Sequence, residues 1–232
     1  MVNGAVSPVA ARKARRRLTR EEAASLTREA IFAAATRVVG EVGYANASIA
    51  RITEDAGIAQ GTFYLYFENR QSLFDELLPH ARREMLELVR SRVSGAGDFF
   101  ETEERGMRAF LDYLRTNPGF FRILDEAETV APESYRRHYE DVGNRYVRLL
   151  EKARDAGHVR VLADDEIRTA SYLMMGARIS LYRLCGRLQG KPRVSPDEAV
   201  AHYMTMVRTW LAPARDGVRG RRPAQRRSKA VA

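Results

Sequence analysis

The sequence predicts an all-α fold of about nine helices. Three observations carry this. Apolar residues recur at three- to five-residue steps over long stretches, no stretch alternates as a strand does, and each periodic run is bounded by residues that start or stop helices. The first helix is expected from about Thr19 to Val42. Thr19 and Glu22 have capping-box spacing, with Ser25 and Thr27 as later starts, and Leu26, Ala30, Ile31, Ala34, Val38, Val39 and Val42 share a face before Gly43. Ser48 caps a short second helix with Ile49, Ile52 and Ala56 inward, and Gly57 turns the chain into a third, about Gln60 to Tyr66. Asn69 caps a fourth that stops near Gly95. A fifth carries Met107, Phe110, Leu111 and Leu114 on one face. Asn117-Pro118 then ends it and opens a sixth, since proline is tolerated in a first turn. Pro132 opens a seventh, closed by Gly157. Asp164 or Asp165 caps an eighth reaching about Leu188, and Ser195-Pro196-Asp197-Glu198 starts a ninth that ends near Trp210-Leu211.

Composition narrows the class. The chain has 232 residues, 45% hydrophobic and 30% charged, which suits a globular protein with a sizeable core. No apolar run is long enough to span a membrane, and residues 11–24 are basic and polar where a signal peptide is apolar. The single cysteine, Cys185, reads as a small core residue in a reducing cytoplasm. Net charge is +9 and unevenly placed. Residues 1–20 hold six basic residues and no acid, residues 213–232 hold seven against one, and the body between is slightly acidic. Two strongly basic ends attract phosphate through counterion release without reading sequence.

Residues 48–67 read helix, glycine-bearing turn, short helix. Ala56-Gly57 gives the small residue and glycine where two helices meet, and Ile58 the apolar anchor of the turn. The third helix then presents hydrogen-bonding groups suited to a major groove: Gln60 for adenine edges and Thr62 with its hydroxyl and methyl, with Gly61 allowing close approach. Tyr64, Tyr66 and Arg70 reach toward backbone phosphates, which position without specifying. With Ser48 at the start of the second helix and Arg15, Arg16 and Arg17 in the basic arm, these are the expected DNA-contacting residues. The arm is expected to touch phosphate without ordered groove insertion.

This stretch resembles the TetR/AcrR family of regulators over about residues 27–74. The resemblance rests on Ala34-Ala35, Gly43-Tyr44, Ser48-Ile49 with Ile52, and above all on Ala56-Gly57-Ile58-Ala59-Gln60-Gly61-Thr62-Phe63-Tyr64-Leu65-Tyr66-Phe67 followed by Arg70, Leu73 and Phe74. Two positions depart from the family pattern. Ala59 stands where Ser or Thr usually begins the recognition helix, and Arg70 where Lys is usual. The resemblance implies an all-helical protomer with an N-terminal three-helix helix-turn-helix DNA-binding domain and a C-terminal helical effector-binding and dimerisation domain. It also implies dimerisation through the last two long helices and release from DNA by a small molecule. The expected organisation is a basic arm (1–20), the DNA-binding domain (21–74), the effector-binding and dimerisation domain (75–212) and a basic tail (213–232).

The C-terminal half is rich in aromatic residues and methionine, which read either as core or as the lining of an apolar pocket. Phe110, Tyr113, Phe121, Tyr139, Met174 and Arg178 are the pocket candidates, for an elongated apolar effector bearing an acid or acyl group. Leu181, Leu184, Tyr203, Val207 and Trp210 are the expected dimer face. Enzymatic chemistry is not expected. His80, His138, His158 and His202 are scattered, Cys185 has no neighbouring histidine, no phosphate or dinucleotide glycine motif is present, and no metal or cofactor is called for. The reading is a homodimeric regulator of a palindromic operator, a repressor released by an apolar ligand. A non-specific nucleoid-type DNA-binding protein and an activator of the same fold remain the alternatives.

Overall fold

The computed structural model describes residues 19–186 and 194–213. Among these, nine helices follow one another: α1 (Arg20–Asn46), α2 (Ile49–Ala56), α3 (Gln60–Phe63), α4 (Arg70–Val93), α5 (Phe99–Thr116), α6 (Gly119–Val130), α7 (Pro132–Asp155), α8 (Asp164–Gly186) and α9 (Pro196–Leu211). None is long and apolar enough to cross a membrane. Their starts are chemically marked. Thr19, Asn69 and Ser195 each form a reciprocal capping box, and Ser48 and Asp98 accept a hydrogen bond from a first-turn N–H.

Two boundaries differ from the sequence expectation. The first helix begins at Arg20 on the expected Thr19 cap, but it is kinked, not ended, at Gly43. Gly43 has φ +77°, and helical turns resume to Asn46. The third helix stops at Phe63, so Tyr64 to Tyr66 lie in a turn. Leu188 falls outside the described residues. Leu26, expected on the apolar face of the first helix, is exposed.

Two apolar clusters form the interior. The first joins α1 (Ile31, Phe32, Val39), α2 (Ile52), α3 (Phe63) and α4 (Phe74, Leu77) to Leu114, Phe120 and Ile123 of α5 and α6. The second is built from α5, α7, α8 and α9 around Met107, Leu150, Met174 and Met204. Helix α4 runs unbroken across the expected 74/75 boundary.

Helix α1 crosses α6 at glycines. A Cβ added to Gly40 would stand 2.6 Å from the Gly119 Cα, and one added to Gly119 would stand 2.6 Å from the Thr36 carbonyl oxygen. Only two residues without side chains allow this approach. Beside it, Arg122 donates to the Glu41 carbonyl at 2.8 Å and to Glu126 at 2.7 Å, and Glu126 accepts the Tyr44 backbone N–H at 2.8 Å. That N–H is freed by the break at Gly43, so the kink and the clamp need each other.

Helices α4 and α7 run side by side in the same direction, since Ser134 meets Asp75 and Arg82 meets Asp141 at 2.6 Å. Pro79 lies inside α4 and has no N–H to offer the carbonyl four residues earlier. That carbonyl, of Asp75, instead accepts the Ser134 hydroxyl at 2.5 Å.

Placing a methyl group at the glycine crossing overpacks backbone against backbone. Gly119→Ala is expected to destabilise the fold by ~1–3 kcal/mol in urea unfolding. A mid-helix Gly→Ala change without such contact is instead stabilising by up to ~1 kcal/mol. The sign of the measured change therefore decides whether the crossing is this tight.

Candidate nucleic-acid interface and effector cavity

The turn between α2 and α3 is held from beneath. Gly57 adopts φ +67°, closes α2, and lets Ile58 bond back to the Thr53 carbonyl at 3.0 Å. Ile52 and Phe63 are fully buried, and Arg37 of α1 grips Asp55 through two nitrogens at 2.6 and 2.9 Å. These contacts fix the angle at which α3 leaves the body.

The expected DNA-contacting residues then distribute as follows. Gln60 and Gly61 are exposed, Thr62 is half-buried, and neither the Gln60 nor the Thr62 side chain has a hydrogen-bond partner among the described residues. A Cβ on Gly61 would meet nothing within 4 Å, so no contact inside the protomer requires glycine there. Tyr64 is exposed, with its ring edge-on to Phe63 at 5.5 Å, whereas Tyr66 is half-buried against the first core. Ser48 is half-buried and its hydroxyl caps α2. Arg70 is the first residue of α4, lies 5.5 Å over the Phe74 ring, and bonds the Ala45 carbonyl at 3.4 Å. Ala59 supplies no side-chain cap to α3, as its methyl dictates. Arg15, Arg16 and Arg17 lie outside the described residues. Sequence reasoning passed over two neighbours: Leu65, which is exposed, and Arg51, an exposed cation in the first turn of α2 with no side-chain partner among the described residues.

A cavity of about 430 Å³ opens between α4, α5, α6, α7 and α8. Phe110, Tyr139 and Arg178 line it, as expected. Tyr113, Phe121 and Met174 do not. Tyr113 turns into the first core and donates to the Ala81 carbonyl at 3.1 Å, Phe121 packs on Tyr182 at 4.9 Å, and Met174 is buried in the second core. Aromatic and methionine residues at helical spacing fill the core as readily as a pocket, and spacing alone does not separate the two.

One wall of the cavity carries a charge that the sequence did not announce. Glu103 of α5 is 1% exposed. It accepts from Arg178 of α8 at 3.0 Å, Tyr146 of α7 at 3.2 Å and Tyr203 of α9 at 2.8 Å. Arg178 also donates to the Tyr146 hydroxyl. Four helices thus meet on one carboxylate. Burial, followed by the nearby Glu103, raises the Tyr203 hydroxyl far above the usual phenol range. Glu103 reads in sequence as one more acid on a solvated face, and only its three-dimensional neighbours reveal it.

Tyr203 and Val207, expected at a dimer face, are instead buried inside the protomer. Their side of α9 covers the second core. The outward faces of α8 and α9 hold Leu173, Leu184, Met206 and Trp210, all exposed, with Leu181 half-buried at their margin.

Glu29, His80 and Glu84 bring three potential ligand atoms within 4.8 Å of one another. Glu29 comes from α1 and the other two from α4, so a search for paired histidines misses the group. His80 stacks on Phe32 at 4.1 Å, and burial lowers its pKa against the pull of both carboxylates. Arg83 stands 3.4 Å from the ring, and Arg28 pairs with Glu76 nearby. The cluster packs α1 onto α4.

An exposed short helix docked by a glycine turn onto a second helix that is anchored in the core by Ile52 is a helix-turn-helix, the class to which DNA-binding regulators belong. Residues 31–77 match the family described as "Bacterial regulatory proteins, tetR family". The HTH-type transcriptional regulator YvdT of Bacillus subtilis is 39% identical over 72 residues, 31% of this chain and 37% of that protein. The HTH-type transcriptional regulator EthR of Mycolicibacterium smegmatis is 26% identical over 190 residues, 78% of this chain and 83% of that protein. The chain spans 37% and 50% of the length of the first two curated relatives it matches. Among solved structures, the fatty acid degradation regulator FadR from Bacillus halodurans superposes with a TM-score of 0.65 at 21% identity, over 78% of this chain and 94% of that one. The family match covers α2, α3 and parts of α1 and α4, the segment that holds the helix-turn-helix.

Two expectations follow from the buried polar groups. Glu103→Ala strands Arg178 and two phenols and is expected to cost ~3–5 kcal/mol in chemical denaturation. Glu103→Leu combined with Arg178→Met, Tyr146→Phe and Tyr203→Phe, which leaves no polar group of the site behind, is expected to fall within about 1 kcal/mol of the parent. A fourfold variant as unstable as the single would mean that the charges are not what the site depends on. His138 lies in the wall with burial lowering its pKa from 6.5 to about 4. The unfolded chain therefore takes up this proton first. The stability His138 contributes is complete above about pH 6.5 and declines as pH falls toward about 4, a loss of ~3 kcal/mol. Replacing His138 with Leu is expected to flatten the acid limb of a stability-versus-pH curve by that amount.

Proposed function

We propose that this protein is a transcriptional repressor that binds a palindromic operator as a homodimer and leaves it when an elongated, apolar, anionic effector enters the cavity. The observation that carries the reading is the surface of α3. Gln60 and Gly61 are exposed and Thr62 half-buried, and neither the Gln60 nor the Thr62 side chain has a hydrogen-bond partner among the described residues. Gln60 and Thr62 are the base readers, and Tyr64, Arg70 and Arg51 are phosphate contacts. Ser48 acts through its cap at the start of α2, and Tyr66 through packing beside the backbone contact. Arg15, Arg16 and Arg17 add phosphate attraction from the arm. The DNA-binding module is residues 21–74 and the effector and dimer module residues 75–212.

Dimerisation suits the exposed stripe of Leu173, Leu184, Met206 and Trp210 on α8 and α9. A single short recognition helix reads too few base edges to be selective, and two copies double the readout. The effector reading rests on the cavity between α4 and α8, walled by Phe110, Val89 and Leu149. Its link to DNA is mechanical. The same α6 that supplies Phe120 and Leu124 to the cavity is clamped to α1 at Gly40 and Gly43, and α1 carries α2 and α3.

Selection of bound duplexes from a random pool at moderate salt tests this reading. One inverted repeat is the expected product, and titration of ligands into that complex would then identify the releasing molecule. Recovery of no motif, with binding that vanishes as salt rises, would favour a non-specific nucleoid-type role driven by the basic ends. Gln60→Ala is expected to relax base preference at a single position by ~1–3 kcal/mol. Gly61→Ala is expected to leave folding intact or stabilise it by up to ~1 kcal/mol while weakening the operator complex, because the added methyl meets only DNA. Unchanged DNA affinity for Gly61→Ala would remove α3 from the interface.

A further inference from the structure

The cavity is chemically polarised from end to end. Its α7 wall runs from His138 to Lys152, and at 1.5 Å per residue those ends are ~21 Å apart. Helices α4 and α7 are parallel, so Val93 and Arg90 of α4 belong to the Lys152 end, and Phe120 and Leu124 of α6 close the other beside His138. Arg90, Arg148 and Lys152 line the first end and Arg145 the middle of the wall, and no side chain of the four has an ion-pair or hydrogen-bond partner among the described residues. Most other arginines of α4, α5 and α7 are paired with acids, as Arg82, Arg105, Arg108, Arg136 and Arg154 are. At the opposite end the imidazole of His138 is 6% exposed, and its Nδ1 atom is buried with no hydrogen-bond partner among the described residues. A buried polar atom left without a partner is costly, and the ring that carries it lines an apolar chamber with room for a guest.

We propose that His138 reads the far end of the effector. The effector is an amphiphile whose anionic head lies among Arg90, Arg145, Arg148 and Lys152 and whose apolar chain ends in a hydroxyl at the His138 imidazole. A hydroxyl fits because it donates or accepts, and so serves a neutral imidazole in either tautomer. The proposal rests on the effector reading of the cavity, and adds to it which end is polar and which residue recognises it.

The test uses the full-length protein with an environment-sensitive apolar dye bound, displaced by palmitate or by omega-hydroxypalmitate. The expected result is displacement by both, with the hydroxylated chain binding roughly ten-fold more tightly. His138→Phe is expected to abolish that preference without weakening palmitate, and His138→Gln, which keeps a hydrogen-bonding group, to retain part of it. Arg145→Glu with Arg148→Glu is expected to weaken both probes alike. Equal affinity of the unmodified protein for the two probes, as when a bound water satisfies Nδ1, overturns the assignment of His138 and leaves the cavity reading standing. Dye binding that neither probe displaces overturns the amphiphile class. Failure of the dye itself to bind removes the effector reading on which the proposal stands. The comparison of the two probes on the unmodified protein decides the matter even if His138→Phe does not fold.

Discussion

The two halves of this protein meet backbone to backbone at the contact of Gly40 with Gly119. At that point the backbones of α1 and α6 approach so closely that neither tolerates a methyl group. Helix α1 is also the platform for α2, through Arg37 and Asp55, and thereby for α3. Helix α6 is also a wall of the cavity, through Phe120 and Leu124. Packed backbones do not deform continuously, so a displacement of α6 is passed to α1 rather than absorbed by side-chain rearrangement. The Arg122–Glu126 clamp adds direction. It holds the peptide at which α1 breaks, and so ties the last turn of α1 to α6.

The order of helices was legible from the chain because it is written locally. A cap such as Thr19-Glu22 or Ser195-Glu198 involves residues three apart, and a stop such as Gly157 involves one. The exposed character of Gln60 and Tyr64 was legible for the same reason. What sequence could not supply were the meetings of distant residues. Gly40 and Gly119 are unremarkable glycines until two helices cross. Glu103 looks like its neighbour Glu104, yet one is fully buried on three donors and the other sits at the surface with Arg108. Tyr203 and Val207 were misplaced because α9 is apolar on more than one face, and periodicity does not tell which face a second copy covers and which the protomer keeps.

The second core shows how a small polar centre organises an otherwise permissive interior. Methionine and aliphatic residues pack in many ways, and Met107, Met174, Met175 and Met204 lie within that cluster. A carboxylate that must satisfy donors from α7, α8 and α9 restricts those helices to one mutual arrangement. The ion pair need not add net stability to do so, since replacement of buried pairs by apolar groups is often neutral. Its position at the cavity wall ties α5, α7 and α8 together there.

Helix α4 joins the halves as well, and its construction is unusual for a connecting rod. At Pro79 the ladder of backbone hydrogen bonds skips a rung, and the vacant acceptor on Asp75 is taken by a hydroxyl from another helix. A rod of continuous hydrogen bonds transmits torque along its length. A rod with a missing rung is weaker at that turn, and the Ser134 hydroxyl at the start of α7 takes the place of the missing donor. The mechanical character of α4 is therefore decided outside α4, by whatever keeps the first turn of α7 in place.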